Sequence, residues 1–141
     1  LKFSSVNSIL KEKITMKLQK IMQKKNWVVI GDVTNPDKYA HKILNRLKEK
    51  GYNADGVHPK GGEGVYKTLA EVSNPIEVVD LCIHPKLGIE YIKEVASIST
   101  IEYILIQPGA ESEEITAYCD EKQINYFKGC ALVGMSLYSS I

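Results

Sequence analysis

The chain has 141 residues, 44% of them apolar and 25% charged, with 18 basic against 17 acidic side chains and a net charge of +1. That length suits one domain, able to bury roughly 68–70% of its unfolded surface, and the balanced charge excludes the overall basic bias of a nucleic-acid binder. No apolar run approaches the ~18 residues of a bilayer span and the first residues carry no apolar signal core, so a soluble, cytoplasmic protein with no membrane partner is expected.

Along the chain, Val6, Leu10, Ile14, Leu18 and Ile21 recur every three or four residues among lysines. Residues 1–25 are therefore predicted to form an amphipathic helix that packs on the domain or on a second copy of the chain. Met16 is a candidate natural start, which would make residues 1–15 an upstream extension. Residues 26–141 read as the domain proper. Trp27-Val28-Val29-Ile30 is a continuous apolar run of the kind buried on both faces of a parallel sheet, and it ends at Gly31. The polar turn Asp32-Val33-Thr34-Asn35 follows. Asn35-Pro36 then reads as the start of a helix, because Asn can cap free N–H groups and Pro lacks a donor where none is needed. Tyr39, Ile43, Leu44 and Leu47 mark its apolar side, and Lys48, Lys50 and Gly51 its end.

A strand is expected over 52–57, then the loop His58-Pro59-Lys60-Gly61-Gly62, an edge strand at Val65-Tyr66 and one helical turn at Leu69–Val72. The next strand covers 76–83, with Val78, Val79, Leu81 and Cys82 as its buried run, and His84-Pro85 breaks it. Leu87, Ile89, Ile92, Val95, Ala96 and Ile98 predict a helix, 101–106 a strand ended by Gln107-Pro108-Gly109, and Glu111, Glu113 and Glu114 the first turn of a helix reaching about Gln123. Tyr126-Phe127 suggests a last strand.

Strands alternating with helices argue an α/β fold with a doubly wound parallel sheet. The loops at Asp32–Asn35, His58–Gly62, His84–Pro85 and Gln107–Gly109 then share one edge, and those after the first, second and fourth strands should form a crevice where strand order reverses. Unpaired N–H groups at a helix start there favour phosphate or carboxylate. With a single arginine, Arg46, side-chain contacts to such an anion fall mainly to lysine. A G-x-G-x-x-G fingerprint is absent, since Gly31 is followed by DVTNP.

The segments VVIGDVTNPDK, VHPKGGEGVYKTLAEV, VVDLCIHP, IQPG and KGCA, in this order, resemble the small stand-alone CoA-binding proteins with a Rossmann-like fold, relatives of the nucleotide-binding domain of succinyl-CoA synthetase. The resemblance covers about residues 20–135. It implies CoA or acyl-CoA as ligand, with the diphosphate held by the first loop: Gly31 and Pro36 match, Lys38 stands for the usual Arg, and Val33 occupies a position usually Ser. Asp32, Thr34 and Asn35 belong to the same loop. The family's Asn-Pro-Lys corresponds to His58-Pro59-Lys60, its Tyr-x-x-Leu to Tyr66–Leu69, its Gln-x-Gly to Gln107-Pro108-Gly109 and its late Cys to Cys130. Ile83 replaces an Arg, while Gly129 and Ala131 replace the Arg and Pro that flank the Cys.

Taken residue by residue, Gly31 serves backbone geometry or ligand approach, and Lys38 and Lys60 phosphate contact or solvation. His58 and His84 precede Pro on the binding edge as polar contacts, whereas His41 is expected in solvent and Cys82 and Cys119 in the core. Cys130 is placed in a loop within reach of the crevice, where a CoA thiol could exchange with it, or packed and inert. Three cysteines without CxxC or Cys/His spacing give no disulfide framework and no metal site. Three functions remain open: a non-catalytic module for CoA or a related adenine nucleotide, a nucleotide-dependent oxidoreductase or acyl-transfer component using His84 or His58, and a ligand-free regulatory or oligomerising protein, homo-oligomers included.

Overall fold

The computed structural model describes residues 2–138, with side chains from residue 8 onward, so the side chain of Val6 lies outside the described residues. Eleven elements follow one another within these residues: α1 (Lys2–Gln23), β1 (Asn26–Gly31), α2 (Tyr39–Glu49), β2 (Asn53–Val57), β3 (Val65–Tyr66), β4 (Val78–Cys82), α3 (Pro85–Val95), β5 (Tyr103–Ile106), α4 (Glu113–Glu121), β6 (Tyr126–Lys128) and α5 (Ala131–Tyr138). The six strands form one parallel sheet in the order β3-β2-β1-β4-β5-β6. Strand order therefore reverses between β1 and β4 at the centre of the sheet.

Alternation of side chains sends Trp27 and Val29 to one face and Val28 and Ile30 to the other, and both sets are buried. The first face packs beneath α1, α2 and α5 through Leu18, Ile21, Met22, Ile43, Leu47, Ala131 and Met135. The second packs beneath α3 and α4 through Ile89, Ile92, Val95, Ile115 and Cys119. Burial on both faces is why β1 reads as an unbroken apolar run. Two hydrogen bonds fix the end of α1: the Tyr52 hydroxyl donates to the Met22 carbonyl at 2.6 Å and the Trp27 indole donates to the Lys24 carbonyl at 2.7 Å, with the two rings edge to face. The second half of α1 is thus part of the core, whereas Leu10 and Ile14 are exposed.

Elements differ from the sequence expectation in several places. α2 starts at Tyr39 rather than at Asn35-Pro36, because the Asn35 side-chain oxygen accepts from the Asp37 N–H at 3.0 Å and closes a local turn instead of capping the helix. Leu69–Val72 is the single turn expected, closed by the Val72 N–H donating to the Leu69 carbonyl at 3.2 Å. α4 begins later, with Ser112 accepting from the Ile115 N–H as its N-cap. α5 has no counterpart in the sequence reading. It lies close against α1, since a Cβ on Gly134 would stand 2.7 Å from the Met22 sulfur.

Candidate functional site

The ends of β1, β2 and β4 enclose a crevice of about 350 Å³ lined by Asp32, Lys38, Tyr39, Ala40, His58, Cys82, Ile83 and His84. It lies where strand order reverses, the place an open parallel sheet offers a ligand. Gly31 ends β1 immediately before Asp32 on the crevice wall. A Cβ there would stand 2.3 Å from the Cys82 carbonyl oxygen and 2.8 Å from the Ala40 Cβ, so glycine lets β1, β4 and α2 meet this closely.

The first loop is held from inside. Val33, at the position where the resembling family has Ser, is buried, and a Cβ on Gly56 would meet its methyl at 2.6 Å. The Val33 carbonyl lies 2.8 Å from His41 Nδ1, while Asn45 Nδ2 lies 2.9 Å from His41 Nε2. Because a carbonyl can only accept, the His41 Nδ1–H donates to Val33 and ties the loop to α2. It is a half-buried clip, not the solvated side chain expected. Asp32 Oδ2 accepts from Asn35 Nδ2 at 3.5 Å, and Thr34 is exposed. Lys38 occupies the N-cap position of α2, yet no side chain caps that helix. Its first-turn N–H groups, next to Tyr39 and Ala40 on the crevice wall, are left without a side-chain acceptor.

His58 and His84 share a geometry. Each accepts a backbone N–H through Nδ1 at 3.1 Å, from Lys60 and Lys86 respectively, which leaves the proton of the neutral ring on Nε2. Each ring therefore offers a donor to a ligand. Pro59 and Lys60 are exposed and do not line the crevice; Pro59 instead borders a second hollow with Lys67, Leu87 and Tyr91.

Gln107, Gly109 and Cys130 stand farther along the same edge, beyond β5 and β6, and are not among the crevice residues. Gln107 is buried, and its side-chain oxygen accepts from the Ala131 N–H at 2.7 Å, holding the start of α5. Gly109 has φ +92°, and its N–H donates to Glu111 Oε2 at 2.7 Å. Cys130 is half-buried, and its carbonyl accepts from Gly134. The thiol on the crevice wall is that of Cys82. Tyr39, read from its spacing as an apolar contact, is 66% exposed at the crevice mouth.

Asp80, in the middle of β4, is wholly buried and neither carboxylate oxygen has a hydrogen-bond partner among the described residues. Burial raises its pKa well above the usual carboxylate range. Burial, then the neighbouring Asp80 and Cys130, push the Cys82 thiol up to about 12.

A doubly wound parallel sheet with an uncapped helix start at its switch point defines the class of α/β nucleotide-binding domains. The chain belongs to the CoA binding domain family, whose model matches residues 25–136. A conserved hypothetical protein from Pyrococcus furiosus is 31% identical, with a TM-score of 0.70 over 77% of this chain and 97% of that one. A hypothetical protein from Pyrococcus horikoshii OT3 superposes with a TM-score of 0.80 at 23% identity, over 88% of this chain and 91% of that one. A Thermus thermophilus protein gives 0.77 at 19%, over 88% and 98%; at these identities the two share the fold. No curated protein matches.

Proposed function

We propose that the crevice binds CoA, or a related adenine nucleotide, as a non-catalytic cytoplasmic module whose diphosphate lies at the start of α2. The observation that carries this reading is the uncapped first turn of α2 opening onto a crevice at the sheet's switch point. Its N–H groups and dipole suit an anion. The Nε2–H groups of His58 and His84 add donors, and Lys38 and Lys60 add positive charge close by. These residues fit a diphosphate; Ile83 adds no charge, and the Asp32 carboxylate opposes the phosphates, so affinity is modest. An acid–base role for the histidines is less well supported, because each Nδ1 is already occupied by a backbone donor.

Titration calorimetry is expected to show CoA binding more tightly than adenosine, with added salt weakening the complex. Lys38→Ala and Lys60→Ala should each weaken CoA by about twofold to fivefold, the scale of a solvent-screened ion pair, at an unchanged Tm. Equal binding of adenosine and CoA, or of neither, would remove the proposal in favour of a ligand-free role.

A further inference from the structure

We propose that the first half of α1 docks on α5 of a second copy of this chain, and that copy's α1 on this α5 in return, so that two copies form a symmetric dimer. Leu10, Ile14, Leu18 and Ile21 follow one another at spacings of four, four and three, which sets them on one stripe of α1. The stripe changes surroundings halfway. Leu18 and Ile21 are buried against the chain's own domain, whereas Leu10 and Ile14 are 52% and 54% exposed. Every side chain from Ser8 to Met16 is exposed, so this half of the helix runs clear of the domain while its apolar stripe continues.

α5 presents the matching surface. Ala131, Gly134 and Met135 are buried, while Val133 and Leu137, one turn apart, are 51% and 63% exposed. Within one copy α5 already lies against the other half of the same stripe, since a Cβ on Gly134 would stand 3.4 Å from the Leu18 Cδ1. The exposed pairs Leu10–Ile14 and Val133–Leu137 share the i, i+4 spacing whose ridges interlock in the commonest helix–helix packing. The four side chains together expose on the order of 400 Å² in each copy, most of the roughly 450 Å² of non-polar area that a standard interface buries per partner. Charge then selects the occupant. Residues 8–23 of α1 carry Lys11, Lys13, Lys17 and Lys20 against Glu12 alone, so two copies of α1 laid on each other would bring like charges together. α5 has no charged residue over Ala131–Tyr138 and takes the stripe without opposing those lysines. An anionic bilayer would suit the lysines of α1 but meets no positive charge on α5. Because each copy supplies both halves of the contact, two copies close the assembly instead of propagating a row.

Sedimentation equilibrium of the full chain over a dilution series is expected to reach twice the 15.8 kDa of one copy, with a Tm that rises with concentration. Ile14→Glu and Leu137→Lys both fall at exposed positions and leave the fold intact. Each should weaken association at least about a hundredfold, because it buries a charge without a partner, and should give a Tm independent of concentration. Both substitutions in one chain should bring association back to within about tenfold of the parent, since each contact then sets a carboxylate on α1 against an ammonium on α5. A parent chain that stays monomeric at every concentration, whether or not it pellets with anionic vesicles, overturns the proposal. So does a dimer that neither single substitution weakens. Loss in both single variants without recovery in the double one overturns the pairing of α1 with α5, as like helices would then face each other.

Discussion

Gly31→Ala is expected to destabilise the protein by about 3 kcal/mol, the upper part of the range for forcing a methyl group into a packed interior. For a chain of this size that is a fall in Tm of about 10 °C. The new Cβ would meet the Cys82 carbonyl oxygen at 2.3 Å and the Ala40 Cβ at 2.8 Å. Neither atom is the end of a flexible side chain, so relief requires β1 to part from β4 or α2 to lift from the sheet. Either movement deforms the crevice, and CoA binding should fall with stability. Replacing Gly by Ala also restricts the unfolded chain, a gain of about 0.4–1 kcal/mol that does not offset the clash. Calorimetric unfolding and a CoA titration of the same variant test this. A variant that keeps its Tm and loses only binding would show that Gly31 serves the ligand, not the packing.

Asp80→Val should do the opposite, raising stability at neutral pH by about 2 kcal/mol, because it removes a buried polar group with no partner and replaces it with an apolar side chain of somewhat larger size. The pH dependence has a definite sign. The folded protein holds the Asp80 proton above the pH at which the unfolded chain releases it, so folded molecules carry the extra proton. Stability contributed by this group is therefore fully present below the unfolded pKa of about 4 and is lost as pH rises towards the folded value. The Val variant should lack that decline, as should Asp80→Asn. A Val variant less stable than the parent at pH 7 would mean that the carboxyl has a partner, an internal water for example.

The architecture was legible because burial on both faces leaves a plain trace: Trp27–Ile30 is apolar without alternation, the run from Val78 is apolar but for Asp80, and the turn residues after each strand mark the ligand edge. Asp32, His58 and His84 could be placed on a shared crevice from that pattern, whereas Lys38 came from the family resemblance. The start of α2 could not, since Asn35 is equally suited to capping a helix and to turning a loop, and only tertiary context chooses. α5 was missed because Ala131–Tyr138 is apolar nearly all round and carries Gly134, so it shows no 3.6-residue stripe. Asp80 was passed over as the one polar residue in an apolar strand. Whether such a carboxyl finds a partner depends on neighbours that come from distant segments.

The packing of α5 against α1 also sets an order for vectorial synthesis on the ribosome. The face beneath α3 and α4 draws its helices from residues 85–121, between the strands they cover, and can close once β6 has emerged. The face beneath α1, α2 and α5 joins the first described helix to the last. Until residues 131–138 leave the exit tunnel, Leu18 and Met22 lack the neighbour formed by Gly134. A nascent chain arrested with only residues up to 128 outside should therefore expose apolar surface on this one face, and should crosslink to a holdase chaperone until α5 is released.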